Sequence, residues 1–401
     1  MDIRPIFVSL YKHLTPALLI VLEIALAYAV LCNAVFMISQ RIATIHMPNA
    51  IDESGISVVT LQGADPQRVT ADTTRNLAAL RRLAGVTGAT VTSSVPLDGQ
   101  VTVMGFTTTP EGKSSVNSSE YFISNSGEQA LGLRLLQGRF FNETDYSDSG
   151  RQDFLSTGHV TLVTQSDALR LWPGQSPLGE TLYSDGGSWT VVGVVGDVLG
   201  QDPTVSSDDG RYSSMFFPLH PDEALTTYVI RSTPEDRQRI VSEAVQTLND
   251  LEPTAVVNGE TYAAKRDEYF TTNRSMVWIL VLVCAVMLAV NAFGIVGLTS
   301  FWVQQRHRQI GIRRALGATR YHILQYFQTE NLLLTAVGVA TGAALAYSIN
   351  AYLMHHYEMD RMPWYYLLFS MIALVTLGQV AVLGTALRAA AVPPLVATRR
   401  A

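Results

Sequence analysis

Side chains that could do phosphate, metal or nucleophilic chemistry occur in this 401-residue chain, but their spacing is wrong for it. Gly112-Lys113-Ser114 has the tail of a phosphate-binding loop, which also needs a glycine five places before the Gly-Lys pair. Thr107 holds that place, and Gly105 lies two residues too early. The run from His355 to Asp360 collects ligand-type residues but has no pair of histidines one helical turn apart, so it reads as a polar loop. No Gly-x-Ser-x-Gly elbow is present to expose a nucleophilic serine. Both cysteines, Cys32 and Cys284, fall in apolar runs, where a thiol packs as a small apolar side chain. The chemistry left is that of charge in unusual places. Arg306 to Gln325 carries five arginines, two histidines and no acid, in a chain of net charge −6. Glu23 is a carboxylate inside an apolar run, where ionisable groups are costly and turn toward another helix or a wet cavity.

Four apolar runs must position these groups. They cover Leu14 to Ile38, Met276 to Val303, Leu332 to Leu353 and Trp364 to about Leu387. Each is close to or above the roughly 20 residues that cross a hydrocarbon core of about 30 Å. The first exceeds the about 7–15 residues of a secretory apolar region, and reads as an uncleaved anchor. Only 15% of the chain is charged, and the charge is divided unevenly. Arg41 to Arg274 holds 17 basic against 29 acidic residues, a net of −12, whereas the remainder holds 11 against 5, a net of +6. Basic residues flank the spans at Arg4 and Lys12, at Arg306, Arg308, Arg313, Arg314 and Arg320, and at Arg388, Arg399 and Arg400. The positive-inside rule then places both termini and the Arg306–Gln325 stretch in the cytoplasm, and the acidic 41–274 region outside. Anionic lipid attracts such arginines, but a segment held against the membrane by two spans excludes a nucleic-acid role.

The 41–274 region reads as α+β. "ISVVTLQG", "GATVTSSVPL", "HVTLVTQ", "WTVVGVVGDVLG" and "TTYVIRS" are short β-branched runs bounded by turn residues, and predict strands. "QRVTADTTRNLAALRRLAG" and "PEDRQRIVSEAVQTLNDLEP" have helical spacing, and in the second Ile240, Ala244, Val245, Leu248 and Leu251 make one apolar face between Pro234 and Pro253. A strand–helix unit near each end predicts one subdomain built from both flanks, interrupted by a strand-rich insertion at about 120–222. With no cysteine, this region relies on a conventional core. "PTVSSDDGRYSS" reads as a mobile polar loop. Gly294, Gly297 and the Gly338-x-x-x-Gly342 pair suit close helix packing, as do Asn33 and Asn291.

In the basic stretch, Ile312, Leu316, Ile323 and Phe327 share a helical face, while Arg306, Arg313 and Arg320 recur every seven residues on another. Gly317 is placed to end a first helix, and Thr319 to cap the next. "RHRQIGIRRALGATRYHILQYFQTENLLLTAVGVATG" resembles the signature of the MacB/FtsX-type ABC transporter permeases, with Gln309 where many relatives carry a glutamate. "LQGRFFNETD", ending at Asp145, and "LWPGQSPLGETLYSDGGSWTVVGVVGDV", Leu171 to Val198, resemble the family's periplasmic core domain. Near the C-terminus, Pro393 or Pro394 and Ala397 match its closing Pro-x-x-x-Ala segment.

The resemblance implies an inner-membrane subunit with four transmembrane helices and a large extracytoplasmic α/β domain, porter-like with an inserted β-rich part, between the first two. The divisions expected are 1–40, with the first span; 41–274, the core domain; and 275–401, with spans at about 276–303, 332–353 and 364–387. Residues 304–328 would couple to the ATPase, through Arg306, Arg308, Ile310, Gly311, Ile312, Arg313, Arg314, Ala315, Leu316, Gly317 and Ala318. The expected function is a non-catalytic export or efflux permease, passing ATP-driven motion outward (mechanotransmission) to expel a peptide, lipid-linked or amphiphilic substrate. About a dozen residues precede the first span, so ATP hydrolysis is expected on a separate ABC ATPase dimer. A second permease copy or paralogue, a periplasmic adaptor and a TolC-like outer-membrane channel are the other implied partners. An FtsX-type relay to a cell-wall hydrolase and lipoprotein extraction remain the alternatives. No cofactor or metal is expected.

Overall fold

The computed structural model describes residues 14–63, 68–100, 102–110, 112, 116–146, 159–184, 187–204, 210–221, 225–305, 319–357 and 361–390. They form two units, a sheet unit of residues 46–272 and a helical unit of the flanking segments.

In the sheet unit the β-branched runs form strands as predicted, joined by strands that the pattern did not reveal. The strands are β1 (Ile56–Gln62), β2 (Val86–Thr92), β3 (Val103–Phe106), β4 (Val116–Ile123), β5 (Leu135–Gly138), β6 (Val160–Thr164), β7 (Thr181–Ser184), β8 (Gly187–Val195), β9 (Ser214–Pro218), β10 (Thr227–Ser232) and β11 (Val256–Thr261). Their order is β11-β1-β10-β2-β4-β9-β6-β8-β5, with β3 on β4 and β7 on β8. The β11-β1-β10-β2 half draws on both flanks of the region, and the other half is continuous in sequence. A single register pair, Thr92 with Ile123, joins β2 to β4.

The β11-β1-β10-β2 half carries the two predicted helices, α2 (Val69–Leu80) and α5 (Arg237–Leu251). Of the expected α5 face, Ile240, Ala244 and Leu248 are buried and Val245 and Leu251 partly buried, and Val241 is buried beside them. In the other half, Trp189 and Phe106 meet edge-on at 5.6 Å, and Phe106 stacks on Phe217 at 6.2 Å. The "LQGRFFNETD" stretch folds back on itself. Gly138 has φ +77°, and a Cβ there would lie 2.3 Å from the Val192 carbonyl, so only glycine fits. Arg139 Nη1 then meets Asp145 Oδ2 at 2.5 Å. Partial burial pulls the Asp145 carboxyl upward, but Arg139 and the Asn142 N–H outweigh it and hold the group below the usual aspartate range. Two short helices, α3 (Gly127–Leu131) and α4 (Gln165–Leu171), and α6 (Tyr262–Tyr269) complete the unit.

The helical unit contains α1 (Leu14–Ile45), α7 (Thr271–Gln305), α8 (Arg320–Tyr357) and α9 (Tyr365–Ala390). All four are long and apolar enough to cross a membrane. They outrun the apolar stretches because water-facing turns remain helical without being hydrophobic. The 38 residues of α8 reach about 57 Å, far beyond a core of about 30 Å. The glycine pair works as its spacing implies. A Cβ on Gly338 would lie 2.7 Å from Ile24 Cγ2, and one on Gly342 would lie 2.7 Å from the Ala25 carbonyl. Both glycines therefore seat α1 directly on α8.

Candidate coupling path

The basic segment, including Arg306, Arg308, Ile310, Gly311, Ile312, Arg313, Arg314, Ala315, Leu316, Gly317 and Ala318, lies outside the described residues. Its two ends are described. Thr319 Oγ1 accepts the His322 N–H at 3.3 Å and so caps α8. Ile323 and Phe327 of α8 are buried with Ile295 and Val303 of α7 and Val382 and Ala386 of α9. The helix that leaves for the segment and the helix that returns from it are therefore held in one apolar cluster. Of the predicted face, Ile323 and Phe327 come together there.

Glu23 is half-buried on α1, and its carboxyl lies against α7 at Gly294. A Cβ on Gly294 would stand 2.3 Å from Glu23 Oε1, so the glycine makes room for the carboxyl. Asn33 Nδ2 donates to the Ala29 carbonyl of its own helix and, at 3.3 Å, to Ala346 of α8. Cys32 is buried and Cys284 partly so, both as free thiols. Among the described residues no cluster of His, Cys, Asp and Glu could hold a metal ion.

At the other end of α7, spacing gave no hint of the groups that anchor it. Arg41 Nη1 donates to Asn273 Oδ1 at 2.8 Å, tying the last turns of α1 to the first turn of α7. Within the sheet unit, α6 directly precedes α7 in the chain and is clamped on several sides. Arg266 Nη1 pairs with Glu53 at 2.7 Å, and Nη2 donates to the Met47 carbonyl at 2.7 Å. Lys265 Nζ lies 2.7 Å from Asp98 and 3.5 Å from Glu260. Burial pulls the Lys265 ammonium down, but the two carboxylates more than offset it and hold the group above the ordinary lysine value. Tyr262 Oη donates to the Pro96 carbonyl at 3.0 Å, and Thr261 caps the helix through the Ala264 N–H. Phe270 is buried, and the Arg266 guanidinium stands 5.4 Å from its ring centre. The only readable signal was the density of charge in Lys265-Arg266-Asp267-Glu268; the partners are too distant in sequence to be inferred.

A second carboxylate was also missed. Glu330 of α8 is 1% exposed, two residues before the apolar run that marked the span.

A profile of the MacB-like periplasmic core domain matches residues 22–258, more than half of the chain, and one of the FtsX-like permease C-terminal region matches residues 281–394. An uncharacterized ABC transporter permease of Bacillus subtilis, YknZ, is 29% identical over 227 residues, which cover 54% of this chain and 53% of that protein. The macrolide export ATP-binding/permease protein MacB of Marinobacter nauticus is 28% identical over 225 residues, covering 53% of this chain and 32% of that protein. The matches thus span about half of the first relative and about a third of the second. The crystallised periplasmic region of MacB from Actinobacillus actinomycetemcomitans aligns with 55% of this chain and 94% of its own, at 14% identity and a TM-score of 0.37. The chain belongs to the MacB/FtsX-type family of ABC transporter permeases.

Proposed function

We propose that this chain is the non-catalytic permease subunit of an ABC-type export system in the bacterial inner membrane, and that α7 is its transmitting rod. Both termini and the 304–328 segment face the cytoplasm, where a separate ABC ATPase dimer binds residues 306–318. Nucleotide-driven closure of that dimer displaces the segment, the displacement travels along α7, and α6 delivers it to the sheet unit. The sheet unit then expels a peptide, lipid-linked or amphiphilic molecule that is already outside the membrane. A second permease copy or a paralogue completes the assembly, and an adaptor with a TolC-like channel carries cargo onward.

The observation that carries this reading is the anchoring of both ends of one helix. Thirty-five residues of α7, about 52 Å, run from the Arg41–Asn273 pair at its first turn to the apolar cluster that brackets the basic segment. A rigid helix pinned at both ends conveys displacement, whereas Ala, Val, Leu and Ile along the spans offer little for a polar cargo to follow.

The test is co-purification in detergent under nucleotide-trapping conditions, with mass spectrometry of what is retained. Recovery of an ABC ATPase supports the reading, and its absence counts against it. Retention of a cell-wall hydrolase favours the relay, and of lipoproteins the extraction reading. In the recovered complex, Leu316→Asp and Gly317→Val should cut permease-dependent ATPase stimulation about tenfold, while limited proteolysis finds the sheet unit folded. Full activity in both variants overturns the coupling assignment.

A further inference from the structure

Along its inward face α7 turns Asn291, Ile295 and Thr299 toward the bundle at four-residue spacing, and all three are buried. On α8 the matching seam is Ile323, Phe327, Asn331 and Thr335, and on α9 it is Gly378, Val382 and Ala386. Toward the basic segment the three seams meet as the apolar cluster already described. One or two turns deeper they become polar. From the point where a Cβ on Gly378 would stand, Asn331 Nδ2 is 3.1 Å away, Thr335 Oγ1 3.6 Å and Ile295 Cδ1 3.7 Å. Asn331 is 6% exposed, and Thr335 and Asn291 are each 1% exposed. Among the described residues, Asn331 Nδ2, Thr335 Oγ1 and Asn291 Oδ1 have no hydrogen-bond partner.

In a hydrocarbon surround such groups are costly to leave unsatisfied, and neighbouring lipid offers them nothing. Small residues alone would pack this junction at no such cost. The groups combine an amide donor, an amide acceptor and a hydroxyl that both donates and accepts. That mixture fits water, which gives and takes hydrogen bonds, and disfavours a bare cation, which the amide N–H would repel. The three atoms are sealed from solvent in this packing. Water therefore reaches them only when α7 parts slightly from α8 and α9.

We infer that Asn331 and Thr335 beside Gly378, with Asn291 one helical turn from Ile295, form an intramembrane water-binding seam, which fills when α7 shifts and so sets the path along which that helix moves. This rests on the reading of α7 as the moving rod, but its test needs neither ATPase nor cargo.

Leu334 supplies the control. It sits at the same depth as Thr335 and is 5% exposed, but packs in the cluster of α1 rather than on the α7 seam. The full-length permease is reconstituted in nanodiscs with Cys32→Ala and Cys284→Ala, and single cysteines are introduced by Thr335→Cys, Asn331→Cys and Leu334→Cys. Reaction with 2-aminoethyl methanethiosulfonate is followed by mass spectrometry. Cysteines at 335 and 331 should react at least about tenfold faster than that at 334. Where one seam variant fails to fold, the other carries the comparison. Equal rates at 334 and at the folded seam positions overturn the inference. Because no nucleotide is present, failure of the transport reading leaves this contrast standing, and failure of the contrast leaves ATPase recovery untouched.

Discussion

Two sides of the helical unit are built differently. Between α1, α8 and α9, backbones touch through glycine and polar side chains bridge the helices. Gly338 and Gly342 admit α1, Tyr28 Oη donates to the Leu367 carbonyl at 2.8 Å, and Tyr366 Oη meets Ser39 Oγ at 2.8 Å. In the apolar stretch of α1, 56% of residues are buried, against 17% in α7. On its inner face α7 meets the bundle through side-chain ends, a glycine facing a carboxyl and a layer of unsatisfied amides. Interdigitated backbone contact resists sliding, whereas side-chain ends rearrange cheaply. One side is a frame, and the other is a bearing.

The largest expected effect breaks the frame. Gly342→Val drives side-chain atoms into the Ala25 backbone and should cost about 3 kcal/mol, the upper part of the range for overpacking, read as loss of monodisperse protein or a fall in Tm in detergent. Gly294→Ala is the matched change on the bearing. The obstacle there is the far end of Glu23, which can swing away, so the cost should stay within about 0.5 kcal/mol. Equal losses at the two glycines would erase the distinction.

Next comes the clamp on α6. Arg266→Ala leaves Glu53 and the Met47 carbonyl unpartnered by it, and should destabilise the sheet unit by about 2 kcal/mol in chemical denaturation. If α6 delivers the motion, this variant also loses export more than ATPase stimulation.

A smaller effect concerns pH in the sheet unit. Asp167 is fully buried and accepts hydrogen bonds from Ser118 Oγ at 2.7 Å and Ser213 Oγ at 2.6 Å. Burial raises its carboxyl from 3.8 to about 6, against the lowering effect of the two serines. The folded form thus binds its proton more tightly than the unfolded form. The resulting stability is full below about 3.8 and is lost as pH rises through about 6. Asp167→Asn should flatten the slope of Tm against pH in that window, and an unchanged slope would contradict the assignment.

The smallest change expected is Glu23→Gln. It keeps the shape that fills the Gly294 notch, so thermal stability should move by less than about 0.5 kcal/mol. A larger loss would mean that the negative charge itself holds α7 to α1.

The spans were legible because hydrocarbon selects composition directly, and β1, β2, β6, β8 and β10 because β-branched residues mark pleated, half-buried surface. β4 escaped because it buries Ser118, Ser119 and Glu120 in succession, which break apolar patterning. β11 escaped because Asn258 and Gly259 read as a turn. Gly338 and Gly342 announced helix contact, but not that α1 was the partner. The partners that hold α6 and α7 were invisible in spacing: Arg266 and Glu53 are separated by 213 positions, and Arg41 and Asn273 by 232. Pairs at such separations are chosen by the fold rather than by local pattern.

The most direct test of α7 as the transmitting rod is a distance measurement in the complex purified with its ATPase. Spin labels replace Val256, which is 59% exposed in the sheet unit, and pulsed dipolar spectroscopy compares nucleotide-free and nucleotide-trapped states. A short bifunctional thiol reagent is then used to join cysteines placed by Ile295→Cys and Gly378→Cys, locking α7 to α9 where a Cβ on Gly378 would stand 3.7 Å from Ile295 Cδ1. Val256 is labelled through a non-cysteine handle so that the two chemistries stay separate. The prediction is a nucleotide-dependent shift in the distance between copies that disappears on cross-linking while ATP hydrolysis continues. A shift that survives the cross-link unchanged, or no shift at all, would contradict transmission through α7.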